Sequence, residues 1–139
     1  MDPERTALSE EDAEYKVAQF AARYGAPHLK LAYYAALPLL LTPELLNYLR
    51  NRFLLGETPW MAEVDLLLSP LCRPVDYELY AIQPAVRAYL LGEMRRNVGQ
   101  ARMQTVARTV IQFVRQLARS NPFVDDHELQ AQQWAAMVY

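Results

Sequence analysis

His28, His127 and Cys72 are the two histidines and the single cysteine of the chain. A zinc site draws three or four such ligands onto one ion, and these three are scattered along the sequence with no ligand spacing between them. Asp125-Asp126-His127-Glu128 has the composition of a metal cluster. Consecutive helical residues point in different directions, however, so these side chains do not converge, and the run reads instead as the acidic opening of a last helix. Ser9, Ser69 and Ser120 stand at helix-boundary contexts, none within a nucleophile elbow. The four glycines, at 25, 56, 92 and 99, are isolated, so no GxxxxGK[ST] phosphate loop exists. Cys72, between Leu71 and Arg73, reads as a small buried hydrophobe; Arg73 would lower its pKa only if both were exposed. His28 follows Pro27 at a helix start and reads as a surface or capping residue. Tyr33, Tyr34, Tyr77, Tyr80 and Tyr89 are the residue types of a ligand pocket, yet at helix and hairpin positions they ordinarily form core with the hydroxyl at the rim. The expectation is a chain that is not an enzyme, with no catalytic residue, no cofactor and no metal.

Charge is the remaining chemistry, and it is unevenly spread. The whole chain sums to −2, from 14 Lys plus Arg against 16 Asp plus Glu. Residues 85 to 119 hold Arg87, Arg95, Arg96, Arg102, Arg108, Arg115 and Arg119 against Glu93, seven minus one, or +6. Residues 1 to 24, 59 to 84 and 120 to 139 each carry −3. At about 100° per residue Arg108, Arg115 and Arg119 fall within roughly 40° of one another, opposite much of the apolar stripe of their helix. This ridge, with Arg102 as a fourth candidate, has two readings. It is a solvated face that pairs with the acidic first or last helix of the same domain, or a docking face for a partner helix or an acidic surface. Contact with a nucleic-acid backbone is a third, weaker reading, since no exposed aromatics interleave the arginines.

The elements that position these residues are marked by proline, glycine and capping residues. Ser9, followed by Glu10, Glu11 and Asp12, predicts an N-cap, and Ala13, Val17, Phe20, Ala21 and Tyr24 form one helical stripe ended by Gly25. A first helix is expected at about 10 to 24. Pro27 to Leu37, apolar on nearly every side, predicts a short buried helix broken near Pro38. Thr42-Pro43-Glu44 places a capping hydroxyl before a proline, with Leu45, Leu46, Leu49 and Phe53 as the buried face. Thr58-Pro59 repeats that device, and its helix is expected to bury Trp60, Val64, Leu67 and Leu68. Leu71-Cys72-Arg73 and Tyr77 to Ile82, joined by a turn at Pro74-Val75-Asp76, predict a small β-hairpin that must pack on helices. Gln83-Pro84 opens a helix with Val86, Tyr89, Leu90 and Met94 inward. Gly99 interrupts it, and Met103, Val106, Val110, Val114 and Leu117 give a long stripe that Asn121-Pro122 ends.

The 139 residues, 53% of them hydrophobic, suit one domain over 1 to 139, since a chain of about 140 residues buries roughly two thirds of its unfolded surface without staples. The longest apolar run, Leu31 to Leu41, contains Pro38 and is far shorter than the roughly 20 residues of a membrane span. The N-terminus lacks the pattern of a signal or transit peptide, so a cytoplasmic location is expected. A last helix, about 125 to 139, stops at Tyr139 with no C-cap, which suggests a fragment of a longer protein.

Helix, helix, helix, hairpin, helix is the layout of a winged-helix domain, here over about residues 28 to 97. The expected fold is thus mainly α, a helical domain with a winged-helix-like centre containing one small β-hairpin, flanked by helices at about 10 to 24, 100 to 120 and 125 to 139. Ala36 to Leu46, Ala62 to Ser69, Tyr77-Glu78-Leu79-Tyr80 and Ala85-Val86-Arg87 resemble the winged-helix segment that follows the nucleotide-binding core of STAND-type signalling NTPases. Pro59-Trp60 through Leu71-Cys72-Arg73-Pro74-Val75, with Tyr77 to Tyr80 and Ala131-Gln132-Gln133-Trp134, more closely resembles a module of large cyanobacterial multidomain proteins. Those proteins combine it with formylglycine-generating-enzyme-like (C-type-lectin-fold), WD-repeat, TIR, caspase-like or NTPase domains in conflict or immune-type signalling. Some of the lectin-fold partners are variable proteins of diversity-generating retroelements. In the STAND winged helix a histidine before the Val-Arg pair reaches the nucleotide; the corresponding residue here is Gln83, so that ligand is missing.

A winged helix also raises DNA binding. Duplex affinity comes from Lys and Arg on phosphates, and readout from polar side chains of the third helix. That helix, from Trp60 to Leu68, holds Glu63 and Asp65 and no base. The sequence therefore favours a non-catalytic interaction or coupling module of a larger bacterial signalling or defence protein, binding neighbouring domains or partner proteins. The alternative is a winged-helix DNA-binding transcriptional regulator.

Overall fold

The computed structural model describes residues 3 to 120, with side chains over 10 to 119. Along these residues run α1 (Pro3–Tyr24), α2 (Ala26–Ala35), α3 (Pro43–Phe53), α4 (Met61–Leu67), β1 (Cys72–Asp76), β2 (Leu79–Ile82), α5 (Pro84–Asn97) and α6 (Gln100–Ser120). The domain is mainly helical with one antiparallel hairpin, as expected, and α2, α3, α4 and the hairpin follow the winged-helix order. Leu41, in the extended link between α2 and α3, exchanges backbone hydrogen bonds of 2.8 Å in both directions with Tyr80. It acts as a one-residue third strand beside β2.

Local chemistry explains most of the boundaries. Thr42 has extended backbone, its Oγ1 accepts from the Leu45 amide at 3.1 Å, and Pro43 fills the first helical position. Gly25 and Gly99 have φ of +96° and +101°, a left-handed conformation that side chains resist, so each ends one helix and opens the next without a linker. Two start signals were less reliable. Because α1 begins at Pro3, Ser9 lies inside the helix and does not cap it. Thr58 does not cap α4 either: its hydroxyl donates to the Pro27 carbonyl at 2.9 Å, so it ties the α3–α4 loop to α2, and α4 starts without a side-chain cap.

The hairpin is also displaced from its expected turn. Pro74 to Asp76 belong to β1, and the chain reverses at Tyr77-Glu78, where Glu78 takes a φ of +51°. Pairing runs from Cys72 opposite Ile82 to Pro74 opposite Tyr80, then slips at Val75 before Asp76 meets Leu79. Proline is tolerated because β1 is an edge strand, where its missing N–H interrupts no ladder, and the irregularity absorbs the extra residue.

One core joins these elements. The second half of α2 is apolar on every side because it is central: Leu31 to Ala35, with Ala36 and Leu37 after them, are fully or nearly fully buried, and the helix packs against α1, α3, α4 and α5. Ala13, Val17 and Phe20 of α1 enter this core, as do Val86, Leu90, Leu91 and Met94 of α5. Met103, Val106, Ala107, Val110 and Val114 seat α6 against α3 and α5, so the expected stripe is correct, with Leu117 partly exposed at its end. No helix among the described residues is long and apolar enough to cross a membrane. The last helix expected at about 125 to 139 lies outside the described residues.

Candidate functional site

α4 is short, and seven of the nine residues from Trp60 to Leu68 are apolar. Such a helix has no periodicity to say which side faces in; packing decides it. Ala62, Leu66 and Leu67 turn inward, towards α2, α3 and β1, where Ala62 lets the backbone approach closely. Trp60, Met61, Val64 and Leu68 are left outside, 66%, 55%, 50% and 75% exposed. The expected buried face of Trp60, Val64, Leu67 and Leu68 is therefore corrected: of these only Leu67 is buried. The outward residues occupy an arc of about 100° on the helix, and Trp60, Val64 and Leu68 form one row at i, i+4 and i+8. Single exposed apolar residues are ordinary, whereas four on one short arc form a patch of the kind that marks an interaction site.

The two acids of α4 flank this row and are both engaged within the domain. Glu63 is held by the Arg50 guanidinium of α3, with both side chains largely buried. Arg50 also donates to the Thr58 carbonyl at 3.2 Å, and Asn47 donates to Glu63 at 3.1 Å. Asp65 lies 3.0 Å from His28 Nε2. His28 is not a surface or capping residue: it stacks on Tyr24 with ring centroids 4.9 Å apart and planes 7° from parallel, joining α1, α2 and α4. Both acids of this helix thus have partners inside the domain, and the arc between them presents apolar side chains outward.

Beside α4, the wing carries exposed Val75 and, at the turn, Tyr77, which is 87% exposed. Tyr77 departs from the core role expected of the tyrosines. Tyr33 and Tyr34 keep it: both are buried, their hydroxyls receiving Asn97 Nδ2 and Arg102 Nε, each at 3.2 Å. Cys72 faces inward, and burial pushes its thiol up to about 12.

The basic ridge divides. Arg108, Arg115 and Arg119 are exposed and form no hydrogen bond or ion pair among the described residues, so they do not pair with the described side chains of α1, from Glu10 to Tyr24. The acidic residues 125 to 128 lie outside the described residues. Arg102 leaves the ridge: its guanidinium packs 4.8 Å from the centre of the Phe53 ring while bonding Tyr34, which fastens α6 to α3 and α2.

Gln83, at the position of the nucleotide-reaching histidine, accepts from Lys16 Nζ and donates to the Pro70 carbonyl, both at 3.2 Å. It is a strut between α1 and the hairpin. Next to it a shallow groove of about 900 Å³ separates α1 from α5, with Glu10, Glu11 and Glu14 on one side and Pro84, Ala85 and Tyr89 on the other. The Tyr89 hydroxyl is pushed above its usual value by burial and by the nearby carboxylates of Glu93 and Glu14. No group of three or more metal-ligating side chains occurs among the described residues.

The α4 patch was hidden from sequence reading because every side of the helix offers apolar residues. Two features of the sequence bear on it: a lone alanine amid large side chains marks the close-packed side, and the acids at 63 and 65 bound the row on either flank. No protein-family model, curated protein or solved structure matches this chain.

Proposed function

We propose that the chain is a non-catalytic protein–protein interaction module that couples neighbouring domains or partner proteins within a larger bacterial signalling or defence protein of the cytoplasm. The observation that carries this reading is the exposed row Trp60, Val64 and Leu68 with Met61 beside it. It stands where a DNA-reading winged helix would present polar and basic side chains. Phosphate neutralisation needs Lys or Arg, and α4 has neither. Apolar side chains that leave water on docking, with an aromatic anchor among them, are what a protein interface uses. The arginines of α6 supply orientation by charge on a separate face. The setting in a signalling or defence protein rests on the resemblance to the cyanobacterial module.

Two measurements decide between this and a DNA-binding regulator. Sedimentation of the chain with the adjoining domains of its parent protein is expected to give a complex that Val64→Asp or the reversal of Arg108, Arg115 and Arg119 weakens at least tenfold. A gel shift on duplex DNA at low salt is expected to stay blank; a salt-sensitive shift at micromolar protein would replace the proposed function with the regulator.

A further inference from the structure

We propose that the face of α4 is a self-association surface whose occupant is α4 of a second copy of this chain, packed antiparallel about a two-fold axis through Val64. The proposal rests on the reading of this face as an interaction surface and adds the identity of what covers it. Val64 stands midway along the row. With Val64 on the axis, Trp60 of one copy meets Leu68 of the other and the reverse, so each large side chain faces a complementary one. The small, branched Val64 meets itself where the helices approach most closely. Trp60 and Leu68 both keep helical or near-helical backbone, with φ of −60° and −92°, so the row continues over the full stretch, roughly 12 Å long.

Charge points to the same occupant. A two-fold axis sets every group against its own kind, so an unpaired charge on such a face repels itself. Glu63 and Asp65, the two acids of α4, are each engaged within their own copy, Glu63 by Arg50 and Asp65 by a 3.0 Å hydrogen bond with His28. The row Trp60, Val64 and Leu68 holds no charged side chain, so a two-fold axis through it sets no like charges against each other, which suits a second copy. The four side chains leave roughly 500 Å² of apolar surface in water, so two copies would bury about 1,000 Å², near the lower limit for a specific interface. A weak dimer in the micromolar range is the expected strength.

Disulfide trapping tests the geometry on the full 139-residue chain. Cys72 is buried and its thiol strongly protonated, so introduced thiols are read without interference. Val64→Cys is expected to form a covalent dimer under mild oxidation. Trp60→Cys should form little alone and a heterodimer when mixed with Leu68→Cys, and sedimentation equilibrium of the unmodified chain should show a dimer that Val64→Asp dissociates at least tenfold. Circular dichroism checks that each variant folds; position 64 is half exposed, so the fold tolerates the change. Trp60→Cys dimers in place of Val64→Cys dimers would overturn the antiparallel pairing. An unmodified chain that stays monomeric at about 0.5 mM would overturn self-association itself. If that monomer still binds the adjoining domains in a Val64-dependent way, the occupant is one of those domains and the interaction function stands. If it binds neither, both readings fall.

Discussion

Thr42 and Thr58 precede Pro43 and Pro59 in the same local sequence, and only the first caps a helix. The difference lies in what is nearby in space. Thr58 is buried beside the Pro27 carbonyl, which would otherwise lack this donor, and the tertiary bond wins over the local one. A cap is legible where the hydroxyl faces its own helix; no residue near Thr58 announces a carbonyl from α2. Likewise nothing in the sequence announces the partners of Arg50, His28 and Arg102, because Glu63, Asp65 and Phe53 are brought to them by packing alone. Cys72 was legible, since its apolar neighbours already implied burial. Its raised value carries a stability consequence with a definite sign. Below the ordinary value of 9.0 the thiol is protonated in both folded and unfolded chains; between 9 and about 12 only the unfolded chain ionises, so stability falls as pH rises through that window. The expected contribution is about 1.4 kcal/mol per pH unit. Denaturant titrations of the parent chain and Cys72→Ala between pH 8 and 11 should show the parent losing stability faster; parallel slopes would refute it.

At the scale of the element, α4 shows how far a pattern carries. Its existence and approximate ends were legible, as were the inward faces of α1, α5 and α6, where polar residues separate the apolar ones and fix the phase. α4 lacks that contrast, so its rotation about its own axis is set by α2, α3 and β1 and by the two paired acids. The Arg50–Glu63 pair is the stronger of these restraints, being largely buried and joined by Asn47 and the Thr58 carbonyl. Removing one partner leaves the other charge buried and uncompensated, which costs about 3 to 5 kcal/mol. Glu63→Ala is therefore expected to lower the stability by about 3 kcal/mol in urea unfolding, and Arg50→Met combined with Glu63→Leu to recover at least half of that. A single variant within about 0.5 kcal/mol of the parent chain would show that the pair does not fix the helix.

Over the whole molecule, the apolar row of α4 and the basic ridge of α6 lie on different elements. α4 turns Trp60, Met61, Val64 and Leu68 outward, the wing mixes exposed Val75 and Tyr77 with Arg73, Asp76 and Glu78, and Arg108, Arg115 and Arg119 stand on α6 with no partner among the described residues. The sequence displayed the arginines and concealed the apolar face, since charges stay on the surface in almost any arrangement and an apolar residue is assigned to the core until packing excludes it. If the ridge is a docking face, its arginines contribute little to folding. Reversing all three to glutamate is expected to change the unfolding free energy by less than about 1 kcal/mol in thermal melts. A larger loss would show that acids of the same chain neutralise them.

The bridge between Leu41 and Tyr80 gives the molecule a mechanical order. It fastens residue 41 to residue 80, so α3, α4 and β1 lie inside a loop of chain closed by two short backbone hydrogen bonds. Tension applied between residues 10 and 119 runs through α1, α2, α5 and α6 and crosses the base of that loop at the bridge. In a force-clamp experiment the segments outside the loop should therefore extend first, with the length between residues 41 and 80 released only after the bridge opens. The bridge works as a clasp: the chain between residues 41 and 80 is not drawn out until it opens, while α4 loses its packing on α2 as soon as the flank before the clasp gives way.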